Sequence, residues 1–208
     1  MITDAEIQTA LPALGPGNTA VITGAASGIG LAAARRLALM GMKIVLADIA
    51  GARLDDASRA VSAIAGDDAV LAVAADVSKA DEVDRLADRA FGAFGEVSLL
   101  MNNACVGDNP GKSWENRDAW KRLLDINFWG VVHGVEAFAP RMLASARPGL
   151  IVNTGSKQGI TTPPGNLAYN VSKAGVKTFT EGLAHALRNE PGARLSAHLL
   201  IPGFTYTG

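Results

Sequence analysis

The sequence predicts an α/β fold, a doubly wound parallel sheet with helices on both faces, on three observations. Short β-branched runs alternate with longer Ala/Leu-rich segments of helical period. Glycines at 24, 28 and 30 sit between the first run and the first helical segment. Polar residues recur just after the runs, where the carboxyl ends of parallel strands line a ligand crevice. The expected strands are Thr19–Thr23, Lys43–Asp48, Ala69–Ala74, Ser98–Asn102, Leu150–Thr154 and Leu195–Ile201. They read as buried parallel strands. Helices are expected at Gly28–Met40, Arg53–Ile64, Lys79–Phe94, Asp118–Ala144 and Leu167–Arg188, with Ser78 and Asp118 as N-caps. Right-handed crossovers between such strands give the doubly wound order. Residues 1–17 form a polar, Pro/Gly-marked N-terminal extension, and residues 18–208 are expected to be one dinucleotide-binding and catalytic domain.

The chain has 208 residues, 49% of them hydrophobic, enough to bury a substantial core. Its 19 basic and 20 acidic residues nearly cancel, so no global field draws nucleic acid or an anionic membrane. A small-molecule partner is favoured. One cysteine, Cys105, excludes an intrachain disulfide, and the amino terminus lacks the basic-then-apolar order of a signal peptide. A cytoplasmic location is expected. Apolar runs fall far short of the ~20 residues a spanning helix needs. His133 and His185 fall on helices without metal spacing, and no metal is expected.

A glycine turn between strand and helix lets a pyrophosphate approach the backbone, where the helix amino terminus adds N–H donors and partial positive charge. Asp48, at the end of the second strand, stands close to the ~20 residues beyond the turn expected of an acid that binds a ribose. A carboxylate there accepts from a 2′-hydroxyl and repels a 2′-phosphate, so NAD is preferred over NADP. Arg53 works in the other direction if its guanidinium faces the same site. Tyr169 and Lys173, four residues apart, share a helical face. An ammonium beside a phenol favours phenolate, which would pull Tyr169 toward the range where it exchanges protons with a substrate. In isolation Asp76 reads equally as a turn residue, Asn102 and Asn103 as turn formers, Ser156 as a loop hydroxyl, and Asn127 as a solvated helical residue.

Taken together, Thr23-Gly-Ala-Ala-Ser-Gly-Ile-Gly30, Asp76-Val77, Asn102-Asn103-Ala104, Asn127, Ser156, Tyr169-x-x-x-Lys173 and Pro202-Gly203 resemble the short-chain dehydrogenase/reductase family over nearly the whole chain. The Thr-Gly-x-x-x-Gly-x-Gly form sets it apart from that superfamily's extended branch. The resemblance implies a Rossmann fold and an oxidoreductase that transfers a hydride between a nicotinamide cofactor and a secondary alcohol or ketone. It implies catalytic roles for Asn127, Ser156, Tyr169 and Lys173: Tyr169 gives or takes the hydroxyl proton, and Ser156 bonds the substrate oxygen. Lys173 depresses the Tyr169 pKa and binds the nicotinamide ribose, and Asn127 holds a water linking Lys173 to solvent. Cofactor contacts are implied for Gly24, Ser27, Gly28, Ile29 and Gly30 at the pyrophosphate, and for Asp76, Val77, Asn103 and Ala104 on the adenine-ribose side. Pro202, Gly203 and Thr207 fall near the nicotinamide. A different class, an NAD(H)-binding scaffold or sensor with a vestigial site, stands as the alternative.

Two departures stand out. Cys105 occupies the place of a family glycine, and if the backbone there needs positive φ a side chain costs ~1 kcal/mol; a small buried hydrophobe is the expected role, a reactive thiol the sharper one. The chain also stops at Gly208, short of the family's substrate-covering loop and seventh strand, so a truncated polypeptide is expected. The pocket that remains would draw on Val106–Trp114 and Gln158–Asn166, with Trp114, Ile160, Pro163 and Pro164 supplying apolar area for a hydrophobic alcohol or ketone. The two longest helices carry apolar residues enough to pair across a two-fold, giving a homodimer or homotetramer.

Overall fold

The computed structural model describes residues 3, 6, 10–112, 114–203 and 205. Six parallel strands form one sheet: β1 (Thr19–Thr23), β2 (Lys43–Asp48), β3 (Val70–Ala74), β4 (Leu99–Asn102), β5 (Gly149–Thr154) and β6 (Leu195–Leu200). Their order is β3-β2-β1-β4-β5-β6, so the chain reverses its direction of winding between β1 and β4. That reversal opens a crevice at the carboxyl ends of the two strands. Every residue of β1 and of β4 is buried, as strands covered by helices on both faces must be.

The helices are α1 (Gly28–Leu39), α2 (Ala52–Ala65), α3 (Ala80–Phe94), α4 (Arg117–Leu124), α5 (Gly130–Ala144), the short α6 (Gln158–Thr161) and α7 (Leu167–Asn189). On one face α1 and α2 bury Leu37, Leu54 and Val61 against Ile22, Ile44 and Leu46. On the other, α3, α5 and α7 bury Leu86, Phe138 and Leu187 against Val21, Leu100 and Ile151. Each such side chain contributes about 1.5–3 kcal/mol on leaving water. Among the described residues no helix is long and apolar enough to cross a membrane.

The predicted elements are present, with four corrections. Ser98 lies outside β4; its hydroxyl donates to Ala13 O at 2.7 Å and fastens the N-terminal segment under the sheet. The single helix expected over Asp118–Ala144 is interrupted by a π-helical turn at Asp125–Trp129. Its cap is Asn116, whose side chain accepts from the Ala119 amide at 3.3 Å, rather than Asp118. Ser78 likewise does not cap α3: its hydroxyl donates to the Asp76 carboxylate at 2.7 Å.

Candidate active site

A cleft of about 780 Å³ runs along the carboxyl ends of the strands across the winding reversal. Its floor at one end is the turn from β1 into α1, where Gly24 (φ 65°) and Gly28 (φ 52°) adopt left-handed backbone. The turn is packed at contact with its neighbours: a Cβ on Gly24 would lie 2.7 Å from the Ala104 Cα, and one on Gly30 would lie 2.3 Å from the Gly24 carbonyl oxygen. Gly24, Ser27, Gly28 and Ile29 line the cleft, whereas Gly30 is buried behind them and closes the turn. Ser27, at the N-cap of α1, makes no side-chain capping bond.

Asp48 lines the same end and also builds it. One carboxylate oxygen accepts from the Ala26 amide at 2.9 Å inside the glycine turn, the other from its own neighbour Ile49 at 2.8 Å. Arg53 lines the cleft beside it. Asp76 and Val77 follow along the wall. The Asp76 carboxylate accepts from both the amide and the hydroxyl of Ser78. Partial burial works to raise its pKa, but the Ser78 bonds and nearby Lys79 outweigh this and hold it below the usual carboxylate range.

Asn103 and Ala104 join the two central strands above the crevice. Thr23 Oγ1 accepts from both of their amides, at 2.9 and 3.1 Å, and Asn103 Nδ2 donates to the Thr23 and Gly24 carbonyls. Below them Asn102 Nδ2 donates to Asn153 Oδ1, and Asn153 Nδ2 to Thr180 Oγ1, a buried chain that ties β4 to β5 and α7.

At the other end of the cleft lie Ser156, Tyr169 and Lys173. The Ser156 hydroxyl, which accepts from the Gln158 amide at 3.2 Å, lines the cleft together with the Tyr169 phenol. Lys173 is 2% exposed; its Nζ donates to the Thr154 carbonyl at 2.8 Å and stands 5.7 Å from the centre of the Tyr169 ring. Burial pushes the Tyr169 phenol above its ordinary range, Cys105 adds to that by charge and hydrogen bond, and Ser156 works against it. Burial also lowers the Lys173 pKa. The net shift of Tyr169 is upward, opposite to the depression expected from Lys173, whose ammonium is aimed at a strand-end carbonyl.

Asn127 is fully buried in the π turn and does not line the cleft. Its side chain clamps a single peptide unit pair: Oδ1 accepts from the Val106 amide at 2.8 Å, Nδ2 donates to the Val106 carbonyl at 2.9 Å. Lengthened turns of this kind recur at functional sites, and here it turns Asn127 inward to hold the segment that follows β4. Cys105, on that segment, is exposed and lines the cleft against Tyr169, which overturns its expected burial. Among the described residues only Asn116, Ala146 and Thr162 combine a side chain with positive φ, so Cys105 carries no such strain. Pro202 and Gly203 line the cleft, and Thr207 lies outside the described residues. His133 Nδ1 donates to the Val77 carbonyl at 3.0 Å, a packing role, and no group of residues suited to a metal occurs among those described.

Gly159 and Asn166 fall in the expected pocket segment Gln158–Asn166, but the sequence did not reveal what they do. A Cβ on Gly159 would lie 2.5 Å from the Lys173 carbonyl carbon, so α6 rests directly on the backbone of α7. Asn166 caps α7, its Oδ1 accepting from the Tyr169 amide at 3.1 Å. The cue for Asn166 was available, since Asn is a preferred cap and Tyr169 stands at the position a cap satisfies; Gly159 left none.

A sheet whose winding reverses beside a glycine turn and helix amino terminus, with a phenol and a lysine across the same cleft, defines a dinucleotide-binding oxidoreductase architecture. The sequence profile of the short chain dehydrogenase family matches residues 18–208, and the chain belongs to that family. It is 41% identical over 188 residues to a 1-deoxy-11-beta-hydroxypentalenate dehydrogenase of Streptomyces avermitilis, covering 89% of this chain and 68% of that one. It is 37% identical to 3beta-hydroxysteroid dehydrogenase 1 of Eggerthella lenta, covering 90% and 70%. A crystal structure of a short-chain dehydrogenase/reductase from Burkholderia phymatum in complex with NAD superposes with a TM-score of 0.88 at 42% identity, over 93% of this chain and 68% of the other. A metagenomic relative in complex with NADP gives 0.80 at 31% identity, over 92% and 84%. The chain thus spans roughly two thirds of the length of these two dehydrogenases. As a family member it is an oxidoreductase of the hydride-transferring class with a nicotinamide cofactor.

Proposed function

We propose that residues 18–208 act as one dinucleotide-binding and catalytic unit that interconverts a hydrophobic secondary alcohol and its ketone. The observation that carries this reading is Tyr169 beside both Ser156 and Lys173 in one cleft with the glycine turn. A bound nicotinamide dinucleotide supplies or accepts the hydride. The first-turn amides of α1 hold its pyrophosphate, Asp48 the ribose next to adenine, and Lys173 the ribose next to nicotinamide. Asp76, Val77, Asn103 and Ala104 wall the adenine-ribose side, and Pro202 and Gly203 the nicotinamide.

Tyr169 donates its proton to the carbonyl oxygen in reduction and removes the hydroxyl proton in oxidation. A phenol held protonated by burial favours the first role near neutral pH. Ser156 donates to the same oxygen and stabilises the charge that develops on it. Asn127 holds the wall at Val106 and supports the water that returns protons through Lys173. NAD is preferred over NADP because Asp48 faces the cleft as a carboxylate, against Arg53.

The relatives named for a hydroxypentalenate and for 3beta-hydroxysteroids favour a ring-bearing alcohol; of the residues expected to supply apolar area, Trp114 and Ile160 are exposed but do not line the cleft, and Val106 does. Exposed Trp129, Leu167 and Val171 on the π turn and α7 favour a homodimer or homotetramer. A cytoplasmic setting fits a single unpaired cysteine. Tyr169→Phe is the test: turnover of a cyclic-alcohol panel should drop ~10²–10⁴-fold with NADH affinity retained, and undiminished turnover sinks the assignment.

A further inference from the structure

The segment that brings Cys105 and Val106 to the cleft beside Tyr169 is held by side chains rather than by strand pairing. After β4 the segment Cys105–Gly111 leaves the sheet, and Asn127 clamps it at Val106. The next three residues are fastened from the opposite side, by the turn that leads into α7. Asn166 Nδ2 donates to the Gly107 carbonyl at 3.3 Å and to the Asp108 carbonyl at 3.0 Å. Asn109 Nδ2 returns the bond to the Gly165 carbonyl at 2.8 Å. The same turn is seated on α7, where Asn170 Nδ2 donates to the Pro163 carbonyl at 2.7 Å. Asn166 also accepts, through Oδ1, from the amide of Tyr169. One side chain thus bonds both the wall segment and the peptide that carries the phenol.

We propose that Asn166 is the positioning residue that sets Tyr169 against the substrate wall, its Oδ1 fixing the turn of α7 that bears the phenol and its Nδ2 fixing Gly107–Asp108. The inference rests on the alcohol/ketone reading above. It assigns the two ends of one amide to two kinetic effects. The cap end governs where the phenol sits and therefore kcat; the donor end governs the shape of the wall and therefore the KM for the alcohol. An ordinary helix cap governs stability alone.

Three variants of the full chain separate these. Asn166→Ser keeps an oxygen that accepts from the Tyr169 amide but is too short to reach Gly107 and Asp108. Asn109→Ala removes the parallel tie and leaves the cap untouched. Asn166→Ala removes both ends of the amide. With a cyclic secondary alcohol as probe, Asn166→Ser and Asn109→Ala should raise its KM about fivefold to tenfold, the scale of one lost hydrogen bond, with cofactor affinity retained. Asn166→Ala should also lower kcat by about tenfold or more, since small displacements of a catalytic group are costly.

Hydrogen exchange supplies the second readout and needs no turnover. Amides of 106–111 should exchange faster in all three variants, and those of the first turn of α7 faster only in Asn166→Ala. Wild-type exchange over 106–111 in both Asn166→Ser and Asn109→Ala overturns the proposal. So does an Asn166→Ala protein whose melting temperature falls while kcat and KM stay at wild type. A wild-type protein that turns over no alcohol in the panel refutes the functional reading instead, and the exchange pattern still decides the positioning role.

Discussion

The two ends of the cleft are built by different means. At the cofactor end, backbone touches backbone: Gly24 against Ala104, Gly30 against Gly24, with Asp48 pinning the Ala26 amide. At the substrate end, asparagine side chains reach across gaps between loops, from Asn127 to Val106, Asn166 to Gly107 and Asp108, and Asn109 to Gly165. A close backbone contact tolerates no added atom, whereas a side-chain tie can be lengthened or lost while the chain path survives. The cofactor end is thereby rigid, and the substrate end is adjustable by single substitutions.

Glycine substitutions at the two ends should separate their functions. In Gly30→Ala the new Cβ meets the Gly24 carbonyl and Asn103 Nδ2, so the turn must open. We expect NADH affinity to fall by ~10²-fold or more and stability to drop by ~1–3 kcal/mol, as for other overpacked sites, measured by fluorescence titration and denaturant melts. Gly159→Ala meets the backbone of Lys173 and Ala174 instead. It should push α6, and with it Ser156, away from α7, cutting kcat by ~10–10²-fold while NADH affinity holds. Equal losses of NADH affinity in the two variants would show that the ends are one mechanical unit.

The same contrast explains what could be read in advance. The strand and helix alternation, the glycine turn and Asp48 are carried by residue type at fixed spacing, because backbone contact demands glycine and ribose recognition demands a carboxylate at one strand end. Tyr169 and Lys173 were legible as a helical pair, though the sense of the Tyr169 shift was not, since burial is a property of the assembled cleft. The π turn was invisible for a related reason. Nothing in Asp125-Ile126-Asn127-Phe128-Trp129 breaks helical period, and the lengthened turn is stabilised by what Asn127 finds across the fold at Val106. Cys105 was misplaced because a lone thiol carries no pattern, and its exposure follows from the course of a loop held by Asn127 and Asn166.

Asp48 bonds the Ala26 amide and carries the proposed preference for NAD, and one substitution pulls the two apart. Asp48→Asn keeps an oxygen for the Ala26 amide while removing the charge that would repel a 2′-phosphate. We expect the ratio of NADP to NAD affinity to rise about tenfold with the melting temperature little changed. Asp48→Ala should cost stability as well, because the Ala26 amide loses its acceptor. Equal binding of NAD and NADP by the wild type would refute the preference itself.

The smallest effect lies at the adjustable end, where Cys105 and Ser156 act on Tyr169 in opposite senses. Burial is the main cause of the raised phenol pKa, Cys105 adds to it, and Ser156 lowers it. On the proposed mechanism the form active in alcohol oxidation has Tyr169 deprotonated, so kcat/KM climbs as pH rises through the phenol pKa. Removing a group that raises that pKa moves the climb to lower pH. Cys105→Ala should therefore shift the acid limb of the oxidation profile downward, and the alkaline limb of ketone reduction, which needs the phenol protonated, should move the same way. Ser156→Ala should shift both limbs upward, on top of its loss of turnover. Profiles of kcat/KM against pH for the two variants decide it: limbs of Cys105→Ala that overlay the wild type would show that the thiol lines the cleft without tuning the phenol beside it.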